Sequence, residues 1–196
     1  MNLASHILPG DIVIKKAHNI LGICLQIFLP KTVLNWPGKY LKNQSAVHTG
    51  IIGIHNGIKG VFESRLWHGY IFTRWEVYKK NIESGDIAVR IVRLINISKD
   101  QRNKINEFLQ NKLKQNIKYD YVYMFKIMFN SLFPKHIKFK QPDVYIDNKQ
   151  RWCCPEVVSY SYSHVKISIT NDILFDTFQI EKGLKNKLFK EIGYYY

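Results

Sequence analysis

The chain has 196 residues, with 29 Lys and Arg against 15 Asp and Glu, for a formal net charge of +14. That length supports one domain with a sizeable core, and 46% hydrophobic with 14% aromatic residues excludes a disordered polyelectrolyte. The positive excess points to anionic surroundings, with phospholipid headgroups and wall polymers ahead of nucleic acid, although lysines spread evenly along the chain are also what a coding bias would leave.

Pro9-Gly10 reads as a turn, with a short strand behind it at residues 11–14. Residues 16–29 carry apolar side chains at helical spacing and stop at Pro30, and residues 30–45 read as loop around Pro37-Gly38. Residues 46–54 are rich in Val and Ile and predict a buried strand. Asn56-Gly57 is a strong hairpin signal, with the returning strand at residues 60–64. A further strand is predicted over residues 87–94. Ser98-Lys99-Asp100-Gln101 is a capping box opening a helix whose apolar positions are Ile105, Phe108, Leu109 and Leu113.

Residues 119–129 are aromatic and apolar, predicting a buried helix, and residues 134–151 read as a basic loop with Pro134 and Pro142. A helix is predicted from Cys154 to His164. A basic, weakly amphipathic helix is predicted over residues 184–192. Helices interleaved with hairpin-paired strands make the expected class α+β.

The stretch Arg151-Trp152-Cys153-Cys154-Pro155-Glu156 carries the chemistry. Proline suits the first helical turn and glutamate suits the positive end of the helix dipole. Cys154 then stands at the cap against unpaired backbone N–H groups, a setting that lowers a thiol's pKa. The alternative for Cys154 is a buried structural cysteine. The third cysteine is Cys24; the spacing of the three has no zinc-ligand or disulfide rhythm, so free thiols and a reducing compartment are expected. No signal peptide and no run long enough to span a bilayer is visible, which leads us to expect a cytoplasmic or virion-associated protein.

A thiol hydrolase needs a base beside the sulfur and a group to orient that base. Alternation along the strand at 46–54 puts His48, Gly50, Ile52 and Ile54 on one face. Glu63 sits in an apolar string on the paired strand, where a carboxylate is expensive unless it is bonded, and His48 offers that bond. The plainer alternatives are a satisfied core histidine and a glutamate facing water.

Val47-His48-Thr49-Gly50-Ile51-Ile52, Val61-Phe62-Glu63-Ser64, Lys118-Tyr119-Asp120-Tyr121 and Trp152-Cys153-Cys154-Pro155-Glu156-Val157-Val158, in that order, resemble the YiiX-like enzymes. These form a circularly permuted branch of the NlpC-type, papain-fold cysteine hydrolases. Leu8-Pro9-Gly10-Asp11-Ile12-Val13 resembles the family's opening strand and residues 169–174 its segment after the cysteine helix. The resemblance spans about residues 8–176 of a single domain covering 1–196, leaving 177–196 as a basic extension. It implies a permuted papain-like α+β fold with an antiparallel sheet. It further implies Cys154 as nucleophile, His48 as general base and acid, Glu63 as the residue orienting His48, and Tyr119 with Asp120 as substrate contacts. No metal or organic cofactor is called for.

Two positions depart from the pattern. Pro155 stands where the family has serine, and Cys153 offers a register one residue earlier, although Glu156 two places on favours Cys154. The implied activity is amide-bond hydrolysis of a peptidoglycan peptide, an isopeptide or an N-acyl group. The rival readings are a lipid-directed thiol acyltransferase or esterase at anionic membranes, and a non-catalytic basic binding protein on the same fold.

Overall fold

The structure is a computed structural model and describes residues 6–17, 48–123, 150–167 and 183–195. Its frame is a six-stranded sheet, antiparallel throughout, in the order β4-β3-β2-β1-β5-β8. The strands are β1 (Ile12–Ala17), β2 (His48–His55), β3 (Ile58–Arg65), β4 (Gly69–Arg74), β5 (Ile87–Leu94) and β8 (Phe189–Tyr195). Two further short strands, β6 (Lys118–Tyr119) and β7 (Arg151–Trp152), pair in parallel. The helices are α1 (Trp75–Glu83), α2 (Lys99–Leu113) and α3 (Cys154–His164).

Strand alternation divides the sheet between two cores. Ile12, Ile14, Ile51, Phe62, Ala88 and Val92 face α2 and α3, meeting Ile105, Phe108, Leu109, Val157 and Val158. Val13, Ile52, Val61, Val89 and Ile91 face the other way, onto Trp75 and Tyr78 of α1. The sheet is therefore covered on both faces, which explains why β1 and β5 read as nearly continuous apolar runs.

Local signals set the register. Asn56 and Gly57 both take positive φ, 50° and 76°, the conformation of a two-residue type I′ hairpin. That turn aligns Gly50 with Glu63 across β2 and β3. Gly10, at φ 84°, closes the turn before β1, and its N–H donates to the Ile52 carbonyl at 2.8 Å. The buried Asp11 carboxylate accepts from Arg93 Nε and Nη2, each at 2.8 Å, and from Arg102 Nη1 at 3.3 Å. One side chain thus ties β1, β5 and α2 together. The capping box of α2 forms in both directions, Gln101 N–H to Ser98 Oγ at 3.1 Å and Ser98 N–H to Gln101 Oε1 at 3.0 Å.

Four expectations change. Residues 16 and 17, expected to start a helix, extend β1 as far as Ala17; the remainder of that helix, the loop at 30–45 and Cys24 lie outside the described residues. Tyr119 is in β6 and a helical turn begins only at residue 121, with Val122 exposed, so the predicted buried helix over 119–129 does not hold at its start. Arg151 belongs to β7 rather than to a loop, because its strand hydrogen-bonds β6. The predicted terminal helix at 184–192 is instead one helical turn at 183–185 followed by β8 on the sheet edge. Its aromatic-rich sequence suits an extended edge: Phe189 is buried in the core, and Arg90 lies 5.0 Å from the Tyr194 ring. No helix among the described residues is long and apolar enough to cross a membrane.

Candidate active site

Trp152 positions the start of α3. Its buried indole packs against Tyr70 (5.1 Å between ring centroids), Tyr160 (5.3 Å) and Phe108 (6.0 Å). Its carbonyl accepts from Ser64 Oγ of β3 at 2.5 Å. The next residue, Cys153, is the N-cap, and a reciprocal arrangement with Glu156 closes the first turn, with Cys153 N–H donating to Glu156 Oε2 at 2.8 Å. Cys154 is the first helical residue and Pro155 the second, so the cap lies one position earlier than the sequence suggested.

Exposure separates the two cysteines. Cys153 is buried against Tyr119, Tyr123 and Leu66, and burial pushes its thiol well up in pKa. Cys154 is only half-buried. Its thiol is nevertheless pushed up to about 11, because burial outweighs the backbone hydrogen bonds from Thr49 and its own amide and the charge of Lys15. The expected lowering by the helix terminus is thus overcome by desolvation. At neutral pH such a thiol is protonated, and only a base can make it a nucleophile.

His48 is the first residue of β2. Its Nε2 lies 2.5 Å from Glu63 Oε2. The contact runs diagonally across the hairpin, past Gly50, which stands opposite Glu63. A Cβ at Gly50 would come within 2.6 Å of Val61 Cγ1 and 2.9 Å of the Phe62 carbonyl oxygen, so only glycine fits between the pair.

Glu63 is fully buried. Besides His48, its carboxylate accepts from Thr73 Oγ1 at 2.5 Å and Tyr78 OH at 2.8 Å, and Lys15 Nζ lies at 3.6 Å. Burial alone would raise its pKa, but the bonds and charges from His48, Lys15 and Thr73 prevail and hold the carboxyl well below the usual carboxylate range. An ionised Glu63 only accepts hydrogen bonds. The network therefore assigns the imidazole proton to Nε2 and leaves the Nδ1 lone pair free for a proton. Burial, then Lys15, lowers the His48 pKa against the pull of Glu63, so the ring is neutral near pH 7.

Tyr119, in β6, is buried close enough to the cysteines that their negative charge raises its own pKa, after burial, which is the larger cause. Asp120 is buried too, and its Oδ1 accepts from the Tyr123 N–H at 2.9 Å, capping the turn at 121–123. The structure thus bonds His48 to Glu63, sets Cys154 within electrostatic reach of Glu63 and Lys15, sets Tyr119 within reach of the cysteines, and gives Asp120 a local capping bond.

Sequence reasoning missed Lys15, Thr73 and Tyr78. Lys15 had a usable signal, a lysine in phase with Val13 on an apolar strand face, as Glu63 is in phase with Val61. Thr73 and Tyr78 had none, because residues 65–86 were assigned to no element.

The molecule so assembled is an α+β protein with an antiparallel sheet packed against helices, and solved structures share that architecture. Among them, the crystal structure of the metalloprotein yiiX from Escherichia coli O157:H7 superposes with a TM-score of 0.52 at 18% identity, covering 84% of this chain and 69% of that one. At this identity the likeness relates the folds: the chain has a YiiX-like fold. No protein-family model matches it, and no curated protein does. Among the described residues, no group of three or more His, Cys, Asp and Glu is arranged to hold a metal ion.

Proposed function

We propose that the protein is a cysteine hydrolase that cleaves an amide bond through a thioacyl-enzyme, on a circularly permuted, NlpC-type papain-like fold. The observation that carries the reading is the Glu63–His48 bond, which leaves a neutral imidazole with a bare Nδ1 in the same charge cluster as the half-buried thiol of Cys154. His48 takes the Cys154 proton as sulfur attacks the substrate carbonyl, and returns it to the departing amine. Water, or an amine, then attacks the thioester with His48 again as base. The Cys154 backbone N–H at the helix start is the oxyanion donor, a type of contact worth about 2.7–4 kcal/mol. Peptidoglycan peptides, isopeptides and N-acyl groups are the substrate classes, with Tyr119 beside the scissile group.

A lipid-directed acyl transfer is the second reading, favoured by one feature. Trp67 is 79% exposed at the β3–β4 turn and packs on Tyr121, which in turn packs on Tyr119. Such a ledge suits an acyl chain or a membrane surface.

Turnover of a panel of stem-peptide, isopeptide and N-acyl amides tests the proposal. Wild type is expected to cleave at least one class, with a transient acyl adduct on Cys154, and Cys154→Ser and His48→Ala to lose cleavage. Cleavage of phospholipid esters with no amide turnover would favour the second reading. Binding to anionic vesicles with neither activity would leave a non-catalytic protein.

A further inference from the structure

Lys15 stands in the middle of β1, opposite His48 in the β1–β2 register and opposite Val89 in the β1–β5 register. Alternation turns its side chain to the α1 face, where only 13% of it remains exposed. Its Nζ lies 3.6 Å from Glu63 Oε2, the oxygen that His48 and Tyr78 also bond, and 5.4 Å from the centre of the Tyr78 ring. An ammonium is costly to bury, and it is found in such a place only when something there holds it. Glu63 holds it electrostatically and the Tyr78 ring face covers it.

Counting charges shows what Lys15 does for the sulfur. With a neutral His48 and a protonated Cys154, the buried ion pair is Glu63⁻ with Lys15⁺, and the half-buried Arg65⁺ lies at the end of the same strand as Glu63. Moving the Sγ proton to Nδ1 creates a thiolate and an imidazolium and leaves the total charge unchanged. Without Lys15 the thiolate would form beside a buried carboxylate whose cationic neighbours are reduced to Arg65 and the new imidazolium. The charged and titratable groups facing Lys15 are Glu63 and Arg65 of β3, His48 of β2, Tyr78 of α1 and Cys154 of α3.

We propose that Lys15 is an electrostatic positioning residue of this site, its ammonium held on Glu63 opposite His48 as the standing counter-charge that allows the Cys154 thiolate to form. The inference rests on the cysteine-hydrolase reading of the same site. Burial lowers the pKa of Lys15, and Glu63 opposes this by charge and by hydrogen bond; in its protonated form Lys15 exchanges nothing with the substrate. Its charge lowers the proton affinity of both Cys154 and His48, so its removal moves both in the same direction, upward.

The test is the rate of Cys154 carbamidomethylation by iodoacetamide between pH 5 and 10, read at the Cys154 peptide by mass spectrometry, in variants whose fold is checked by circular dichroism. Lys15→Met is expected to label Cys154 about tenfold more slowly than wild type at each pH on the rising limb. Lys15→Arg should keep the wild-type rate. If Lys15→Met does not fold, Lys15→Gln, which is also neutral but keeps a polar end toward Glu63, carries the same expectation. An unchanged labelling rate in the neutral variant, or an equal slowing in Lys15→Arg, overturns the inference and leaves the hydrolase reading standing. If wild-type labelling is indifferent to His48→Ala, the hydrolase reading falls and the role of Lys15 falls with it.

Discussion

A carboxylate taken fully out of water, as Glu63 is, loses its hydration and must regain it from donors. Glu63 finds three hydrogen-bond donors and one ammonium, and the three strands and one helix that supply them are thereby fixed around it. The consequence for His48 is that its proton sits on the Glu63 side. Its folded pKa lies below the ordinary histidine value of about 6.5, so the unfolded chain takes up a proton on acidification before the folded one does. His48 therefore withdraws stability as pH falls through about 6.5 toward its folded pKa, at about 1.4 kcal/mol for each tenfold difference in proton affinity. The melting-temperature advantage of wild type over His48→Gln is expected to shrink between pH 7.5 and 5. An advantage that grows on acidification would mean that Glu63 holds a charged imidazolium instead.

At the scale of elements, the hairpin and the cysteine helix were legible in the sequence for identifiable reasons. Asn56-Gly57 admits only one tight turn, which fixes the register, and alternation then puts His48 and Glu63 on one face. Pro155 and Glu156 mark where α3 starts. By contrast, β4 went unread because the turn before it is built on Trp67 at φ 70°, a conformation that a tryptophan does not advertise, and α1, which follows β4 directly, went unread with it. Strand β8 was misread because residues 184–192 form a basic, weakly amphipathic segment, whereas its stability comes from hydrogen bonds to β5 far away in the chain. The burial of Phe189 makes this testable. Phe189→Ala should cost about 3–5 kcal/mol by denaturant melting, and Ser98→Ala at the α2 cap only about 1. A Phe189→Ala loss no larger than that of Ser98→Ala would show that β8 is not part of the core.

Over the whole molecule, the two cores meet different parts of the site. The α2 and α3 side fixes Cys154 through Trp152 and the Cys153–Glu156 cap, and the α1 side fixes His48 and Glu63 through Tyr78 and Thr73. The parts of the candidate site thus come from both faces of the sheet, and their placement depends on long-range packing that no single motif encodes. This is why Lys15, 33 residues before His48 in sequence but opposite it in the sheet, escaped the sequence reading.

The most direct measurement of the central claim is site-resolved labelling of the cysteines by iodoacetamide at pH 7.5, in wild type and His48→Ala. The buried thiol of Cys153 should react slowly in both proteins, and Cys154 should react faster than Cys153 in wild type and at least about tenfold more slowly without the base, at the low end of what a positioned base contributes. Equal labelling of Cys154 in the two proteins, or faster labelling of Cys153, would contradict a thiol activated by the His48–Glu63 pair.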